Sequence, residues 1–215
     1  MLVTAQGFNA ITTRIEIPRV GSWFAFLSLD APDTLQFGSG VAIIAGAVTF
    51  TGTRYRGGGA NSRINVVIAG GQGKLATVLA PRGYVNASVG AVLADIANDS
   101  GEKLTANLDP TLMATLLPRW TRMRVTTGAA LTSLGEAVGA SWRTQPDGSI
   151  RFGVDTYPAT TAVYTLMTKV SRDRKLELDV PGLDLLPGTM VGTRSISRVV
   201  HIVDETIART YAYYD

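Results

Sequence analysis

Apolar side chains along this chain recur at every second residue, then at a spacing of about 3.6, then at every second residue again, and this switch limits the fold more than any other feature. The first stretch alternates as β-strands do. Thr12-Thr13-Arg14-Ile15-Glu16-Ile17 is followed by the punctuating Pro18 and Gly21. Trp23 to Leu29 then runs into the turn sequence Asp30-Ala31-Pro32-Asp33. After Gly38 to Gly40 comes the apolar run Val41 to Phe50, and alternation resumes over Thr51 to Arg56. Gly57-Gly58-Gly59-Ala60-Asn61-Ser62 interrupts it, an expected mobile loop, before a further strand from Arg63 to Ala69. Short strands at this spacing, with glycine at the turns, predict a small barrel or sandwich.

Between Asn86 and Ala140 the helical period takes over. Ser88 stands as an N-cap, Val89, Val92, Leu93 and Ile96 form one stripe, and Gly101 occupies the place of a C-terminal glycine. Pro110 opens a second helical stretch through Leu112, Met113, Leu116 and Leu117, which Pro118 is expected to end. A third runs from about Thr127 through Leu131, Leu134 and Val138 to Gly139. Ala140 to Thr144 and Ser149 to Val154 flank Pro146-Asp147-Gly148 as a hairpin. Strands return at Leu176 to Val180, Met190 to Val191, Arg194 to Val203 and Ile207 to Tyr214. The expectation is a mainly β fold with a helical insert (α+β): two β-barrel-like units flanking a short helical segment. Its boundaries are an N-terminal barrel over 1–85, a helical insert ending in a hairpin over 86–155, and a C-terminal β unit over 156–215. No heptad or solenoid repeat interrupts this order.

The chemistry available is narrow. There is no cysteine, which removes thiolate metal sites, disulfides and thiol nucleophiles, and a single histidine, His201, would have to serve as any catalytic base or imidazole ligand. At 46% hydrophobic and 17% charged residues the 215-residue chain can bury a core. No stretch approaches the roughly 20 apolar residues that span a bilayer. The N-terminus, Met1 to Gly7, lacks the basic and apolar regions of a secretory signal, so a cytoplasmic site of synthesis is expected. The net charge of +3 is spread thinly: 7 basic and 3 acidic residues in 1–85, 6 and 7 in 86–155, 7 and 7 in 156–215. No dense basic stripe with interleaved aromatics marks a sequence-specific nucleic-acid binder.

Five segments could carry a site. Gly70-Gly71-Gln72-Gly73-Lys74 resembles a phosphate loop, but Ile68 stands where the first Walker glycine belongs and Leu75 where a Mg²⁺-binding hydroxyl belongs, so a hairpin turn is the better reading. His201 sits among Val199, Val200, Ile202 and Val203, and no Gly-x-Ser-x-Gly elbow supplies it with a nucleophile; a partly buried or interface histidine is expected. Asp95 and Asp99 form an i, i+4 carboxylate pair of the kind that faces solvent. Arg119-Trp120-Thr121-Arg122-Met123-Arg124 is the densest basic segment, read as a connector between helices with Trp120 inward and the arginines solvated or paired across a subunit contact. Arg54, Arg56 and Arg63, on alternating positions, either line a channel or face water. No catalytic, cofactor-binding or metal-binding residue is assigned. Tyr211, Tyr213 and Tyr214 are candidates for an interface or for core.

The order of these pieces resembles the tail hub proteins of phages, of the late-control-protein-D type. The residues that carry the resemblance are Tyr84 to Gly101 with Val92-Leu93-Ala94-Asp95-Ile96-Ala97, Leu116 to Trp120, Gly139 to Arg143, Pro146 to Phe152, Leu186-Pro187-Gly188-Thr189, Val199 to Val203 and Arg209-Thr210. The resemblance implies a non-enzymatic structural subunit without cofactors. Its expected form is a homotrimeric ring of barrel domains that joins a tail tube or distal tail protein to a central spike, with the tape measure protein as a further neighbour. DNA would pass transiently through the lumen, and the protein would reside in the virion tail or baseplate after assembly in the host cytoplasm. The competing readings are a non-catalytic ligand- or carbohydrate-binding β module and an enzyme acting on a phosphorylated substrate through Gly70 to Lys74.

Overall fold

The computed structural model describes residues 2–32, 34–38, 40–60 and 62–215, the side chain of Ala60 excepted. Asp33 of the expected turn, Ser39 of the glycine segment and Asn61 of the expected loop lie outside the described residues, as does Met1. The fold is mainly β with few helices, as the periodicity predicts.

Strand β1 (Val3–Ala5) turns at Gln6-Gly7, both at positive φ (52° and 82°), the backbone of a two-residue hairpin turn that matches strand twist, into β2 (Phe8–Pro18). Strands β3 (Phe24–Asp30), β4 (Val41–Ala45), β5 (Val48–Ala60) and β6 (Arg63–Gly70) follow. Their order is β1-β4-β5-β6-β3-β2, and β1 meets β2 through Thr4↔Asn9 and Ala5↔Phe8, closing a six-stranded barrel. Alternation decides which side chains enter it: Ile15, Ile17, Ala25, Leu27, Leu29, Ile64, Val66 and Ile68 are buried, while Arg14, Phe26 and Asn65 between them are exposed. Trp23 sits fully buried edge-on to Phe50, ring centroids 5.3 Å apart, and burial of side chains of this size stabilises by about 2 kcal/mol or more each.

The apolar run over 41–50 is two strands, not one, because Gly46 at φ 61° turns the chain between Ala45 and Val48. The triple glycine expected as a loop belongs to β5: Gly57 pairs Val66, Gly58 pairs Asn65 and Gly59 pairs Ile64. A Cβ on Gly57 would lie 2.7 Å from the Asn65 carbonyl oxygen, so lack of a side chain lets β5 close onto β6 here.

The middle of the chain builds β7 (Arg82–Ser88), α1 (Val89–Ser100), α2 (Pro110–Ala114), β8 (Leu116–Arg122), α3 (Thr127–Val138), β9 (Ser141–Thr144) and β10 (Ile150–Gly153). Ser88 accepts from the Ala91 N–H, Thr126 does the same for α3, and Gly101 and Gly139 end their helices at φ 81° and 67°. Residues 116–118 are strand where a helix was expected. Pro118 stands across from Asn86, itself at φ 50°, at the one gap in the β7–β8 register, and a two-stranded edge tolerates the missing N–H. Leu79, Tyr84, Leu93, Ile96, Leu117, Trp120, Leu131, Trp142 and Phe152 form this segment's core.

Strands β11 (Thr165–Val170), β12 (Lys175–Asp179), β13 (Met190–Val191), β14 (Arg194–Asp204) and β15 (Ala208–Tyr214) complete the chain around a third core of Leu176, Leu178, Val180, Leu185, Ile196, Val199 and Ala212. β14 pairs β2 from Arg198↔Pro18 to Asp204↔Thr12. The first and last parts of the sequence therefore share one sheet. The helical segment is pinned against the same barrel end by Gly21 N–H to Trp142 O (2.9 Å), Trp23 Nε1–H to Gln145 O (3.0 Å) and Thr51 N–H to Pro146 O (2.6 Å). Asp155, nearly buried, takes Arg143 at 2.8 Å and Arg151 at 3.0 Å and tightens that junction.

Candidate assembly surfaces

The chemical candidates resolve into structural roles. The Gly70 to Lys74 segment is not a hairpin turn: β6 ends at Gly70 and the chain departs toward the helical segment. Its backbone does form an anion cradle, and the anion is the chain's own, because the Gln72 and Lys74 N–H groups donate to the buried Glu102 carboxylate at 2.9 and 2.7 Å. A phosphate would have to displace that carboxylate.

His201 is fully buried at the seam between β2, β14 and β15. Its Nε2 faces the Leu185 carbonyl at 3.3 Å, which only accepts, so Nε2 carries the proton and Nδ1 accepts from the Thr210 hydroxyl at 2.8 Å. Burial pushes its pKa down from 6.5 to about 4, with the Leu185 hydrogen bond acting weakly the other way. The imidazole and the Thr210 hydroxyl are both fully buried, away from any substrate, and His201 acts as a packing group.

Asp95 and Asp99 do not sit on a bare solvated face. Each holds an arginine: Asp95 to Arg82 at 3.1 Å and Asp99 to Arg122 at 2.5 Å. Arg122, only 2% exposed, also donates through Nε to the Ala80 carbonyl, so the segment expected as a connector with its arginines solvated or paired across a subunit contact is strand as far as Arg122, and that arginine is paired within its own chain. Strand alternation explains it within β8, since Trp120 and Arg122 share the buried face while Arg119 is exposed, and Arg124, also exposed, lies past the end of the strand. Among the described residues no cluster of three or more His, Asp or Glu is placed to hold a metal ion, and no helix is long and apolar enough to cross a membrane. Trp23, Trp120 and Trp142 are all buried and form no exposed aromatic platform.

Exposed apolar side chains occur on the helical segment, at Val85, Leu116 and Met123, and the most extended exposed face belongs to one sheet. Strands β5-β6-β3-β2-β14-β15-β12-β11 form a continuous series of eight, each antiparallel to the next. An unbroken cross-strand row runs through it: Thr53, Ala69, Phe24, Glu16, Val200, Tyr211, Glu177, Thr168. This row lies on the face turned away from the cores. That face carries Arg56 and Arg63 of the three arginines singled out above, whereas Arg54 lies in register with buried Ile68 and donates to the Gly57 carbonyl at 2.7 Å. A hollow of about 480 Å³ indents it, lined by Arg14, Phe26, Arg56, Asn65, Val67 and Ile202 among others.

Both ends of this sheet are open. β4 covers β5 only as far as Gly52, so from Thr53 onward the edge of β5 away from β6 has no described strand beside it. At the far end β11 pairs only β12, and Leu166 and Met167 are 53% and 50% exposed. Such edges present rows of unpaired N–H and C=O groups.

No family model and no curated protein matches the sequence. Solved structures do match the fold. The chain is similar to the 43 kDa tail protein of prophage MuSo2 from Shewanella oneidensis, with TM-score 0.66 and 11% identity over 98% of this chain and 96% of that one. A tail protein from Neisseria meningitidis MC58 gives TM-score 0.64 and 11% identity over 98% and 94%. An E. coli component of the type VI secretion system, described as structurally similar to tail proteins of bacteriophage T4, gives TM-score 0.72 and 12% identity over 99% and 76%. The chain thus has a fold that phage tail proteins and a secretion-system component share.

Proposed function

We propose that the protein is a non-enzymatic structural subunit of a phage tail, a hub whose copies join edge to edge into a ring, most simply a homotrimer, between tail tube and spike. The observation that carries the ring is the pair of open edges on one eight-stranded sheet. Because eight is even and every pairing is antiparallel, β11 of one copy runs opposite to β5 of the next, and the two can join as an ordinary antiparallel pair. Because β4 already pairs Gly52 and Thr51, β11 of a neighbour meets β5 along the open stretch that begins at Thr53. Unlike edges that meet head to tail close into rings when the rotation permits. The fold shared with tail proteins and a secretion-system component supports tail-like neighbours and residence in the virion tail, and the same reading takes a tape measure segment and DNA into the lumen.

Light scattering over a concentration series tests the reading. The expected mass is a multiple of 22.8 kDa, three for the trimer, falling to one chain when Leu166→Lys and Met167→Lys place charges on the β11 edge. A wild-type protein monomeric at every concentration, or an assembly indifferent to the two lysines, would sink it.

A further inference from the structure

The seven basic and seven acidic residues of 156–215 balance in number and not in position. Six of the cations, Lys169, Arg172, Arg174, Lys175, Arg194 and Arg198, gather where β11 turns into β12 and where β14 begins. The Tyr214 N–H to Arg174 O and Asp215 N–H to Ser195 O bonds hold these pieces together at one end of the sheet. Asp179, Asp204 and Glu205 lie at the other ends of the same strands, and Glu177, between, is taken by Arg209 at 3.3 Å. Asp173 and Asp215 share the basic end, and Asp215 is 3.5 Å from Arg19.

Among the described residues none of the six cationic side chains forms an ion pair or hydrogen bond. Three lie over tyrosine rings instead: Lys175 over Tyr211 at 4.8 Å, Arg198 over Tyr213 at 3.9 Å and Arg194 over Tyr214 at 5.0 Å. A ring face orients a cation without neutralising it. The result is a collar with an excess of positive charge, three of its cations held in place, that attracts a polyanion.

We propose that this collar binds the phosphate backbone of duplex DNA without sequence preference. A docking site for an acidic protein would centre on apolar or aromatic anchors, but the exposed large apolar residues of this unit, Val163, Leu166, Met167 and Ile207, lie outside the collar. The collar's aromatic faces are occupied by its own cations, which also removes the stacking platform a single strand uses. Charge alone is left to offer. Arg198 and Lys175 flank Tyr213 in one cross-strand row, whereas beyond the collar Arg14 pairs with Glu16 at 2.7 Å and Arg209 with Glu177, which leaves Arg56 and Arg63 as the cations of the face turned away from the cores without an ion pair among the described residues. The densest contact with DNA is thereby set at the collar. The inference rests on the ring reading for where DNA meets the collar, while the binding itself needs no ring.

Fluorescence anisotropy with a labelled duplex of about 30 base pairs, over a salt series starting near about 50 mM, tests it. Six cations predict that log affinity falls against log salt with a slope of about −5. Arg172→Glu with Arg174→Glu is expected to weaken binding about ten-fold or more and make the slope shallower by about 2. Arg119→Glu with Arg124→Glu, exposed arginines that change net charge equally, should leave affinity within about two-fold. If the two pairs of substitutions behave alike, or if poly-L-glutamate binds the collar more tightly than the duplex does, the proposal is overturned, the latter in favour of an acidic protein. The Leu166→Lys, Met167→Lys chain separates the readings: monomeric in solution and still binding duplex with a slope no shallower than the wild type's, since the two lysines add charge beside Lys169, it retains the collar whatever becomes of the ring.

Discussion

His201 sets a pH dependence that follows from its burial. The unfolded chain binds a proton at this residue near pH 6.5, and the folded chain only near pH 4. A lowered folded-state pKa means that the unfolded state holds more protons between those values. The stability is therefore fully present above pH 6.5 and is lost as pH falls toward 4, by about 3 kcal/mol in all. Urea midpoints at neutral pH and between pH 6 and 4 check this, and His201→Gln should lose this part of the pH slope, whatever its absolute stability. That His201 would be partly buried or at an interface was the reading its valine and isoleucine neighbours supported, and its complete burial goes further than they indicated. That Glu102 would fill the glycine loop was not, since nothing local couples Gln72 and Lys74 to a carboxylate some 30 residues away.

Among the elements, α1 was legible down to both caps and α3 down to its terminal glycine, because stripe, N-cap and terminal glycine are all local signals. The glycine strand and the proline strand were not. At Gly57–Gly59 and at Pro118 local preference points away from strand, and tertiary pairing overrides it. The glycines are unequal in consequence. A Cβ at Gly57 meets the Asn65 carbonyl oxygen at 2.7 Å, whereas one at Gly58 meets nothing within 4 Å. Gly57→Thr is expected to destabilise by about 1–3 kcal/mol, and Gly58→Thr to be neutral or stabilising by a few tenths through strand preference. Thermal melts of the two variants side by side would show the ordering, and equal losses would contradict it.

For the whole molecule, the sequence announced β, helical and β stretches in the right order, but the bond between β2 and β14 joins residues some 180 positions apart, beyond any local pattern. Since β2 serves both the closed barrel and the C-terminal sheet, those two parts are expected to unfold together. The three tryptophans all precede residue 156, so their fluorescence reports only the first two thirds of the chain, while far-ultraviolet dichroism reports every strand. Coincident denaturant transitions are expected from the two signals at fixed protein concentration. A separate, earlier loss of dichroism would mean that the C-terminal sheet melts alone.

The unlike edges of the eight-stranded sheet have one more consequence. Two copies facing each other through the same edge would be related by a two-fold axis and would look the same from above and below. A ring closed through β11 and β5 contains no such axis. Its two rims are different objects, one fringed by the cations of the β11–β12 turn and the other by the carboxylates of Asp179, Asp204 and Glu205. Whatever stacks on such a ring meets a distinct surface on each side, so an assembly grown from it would acquire a fixed direction from strand polarity alone.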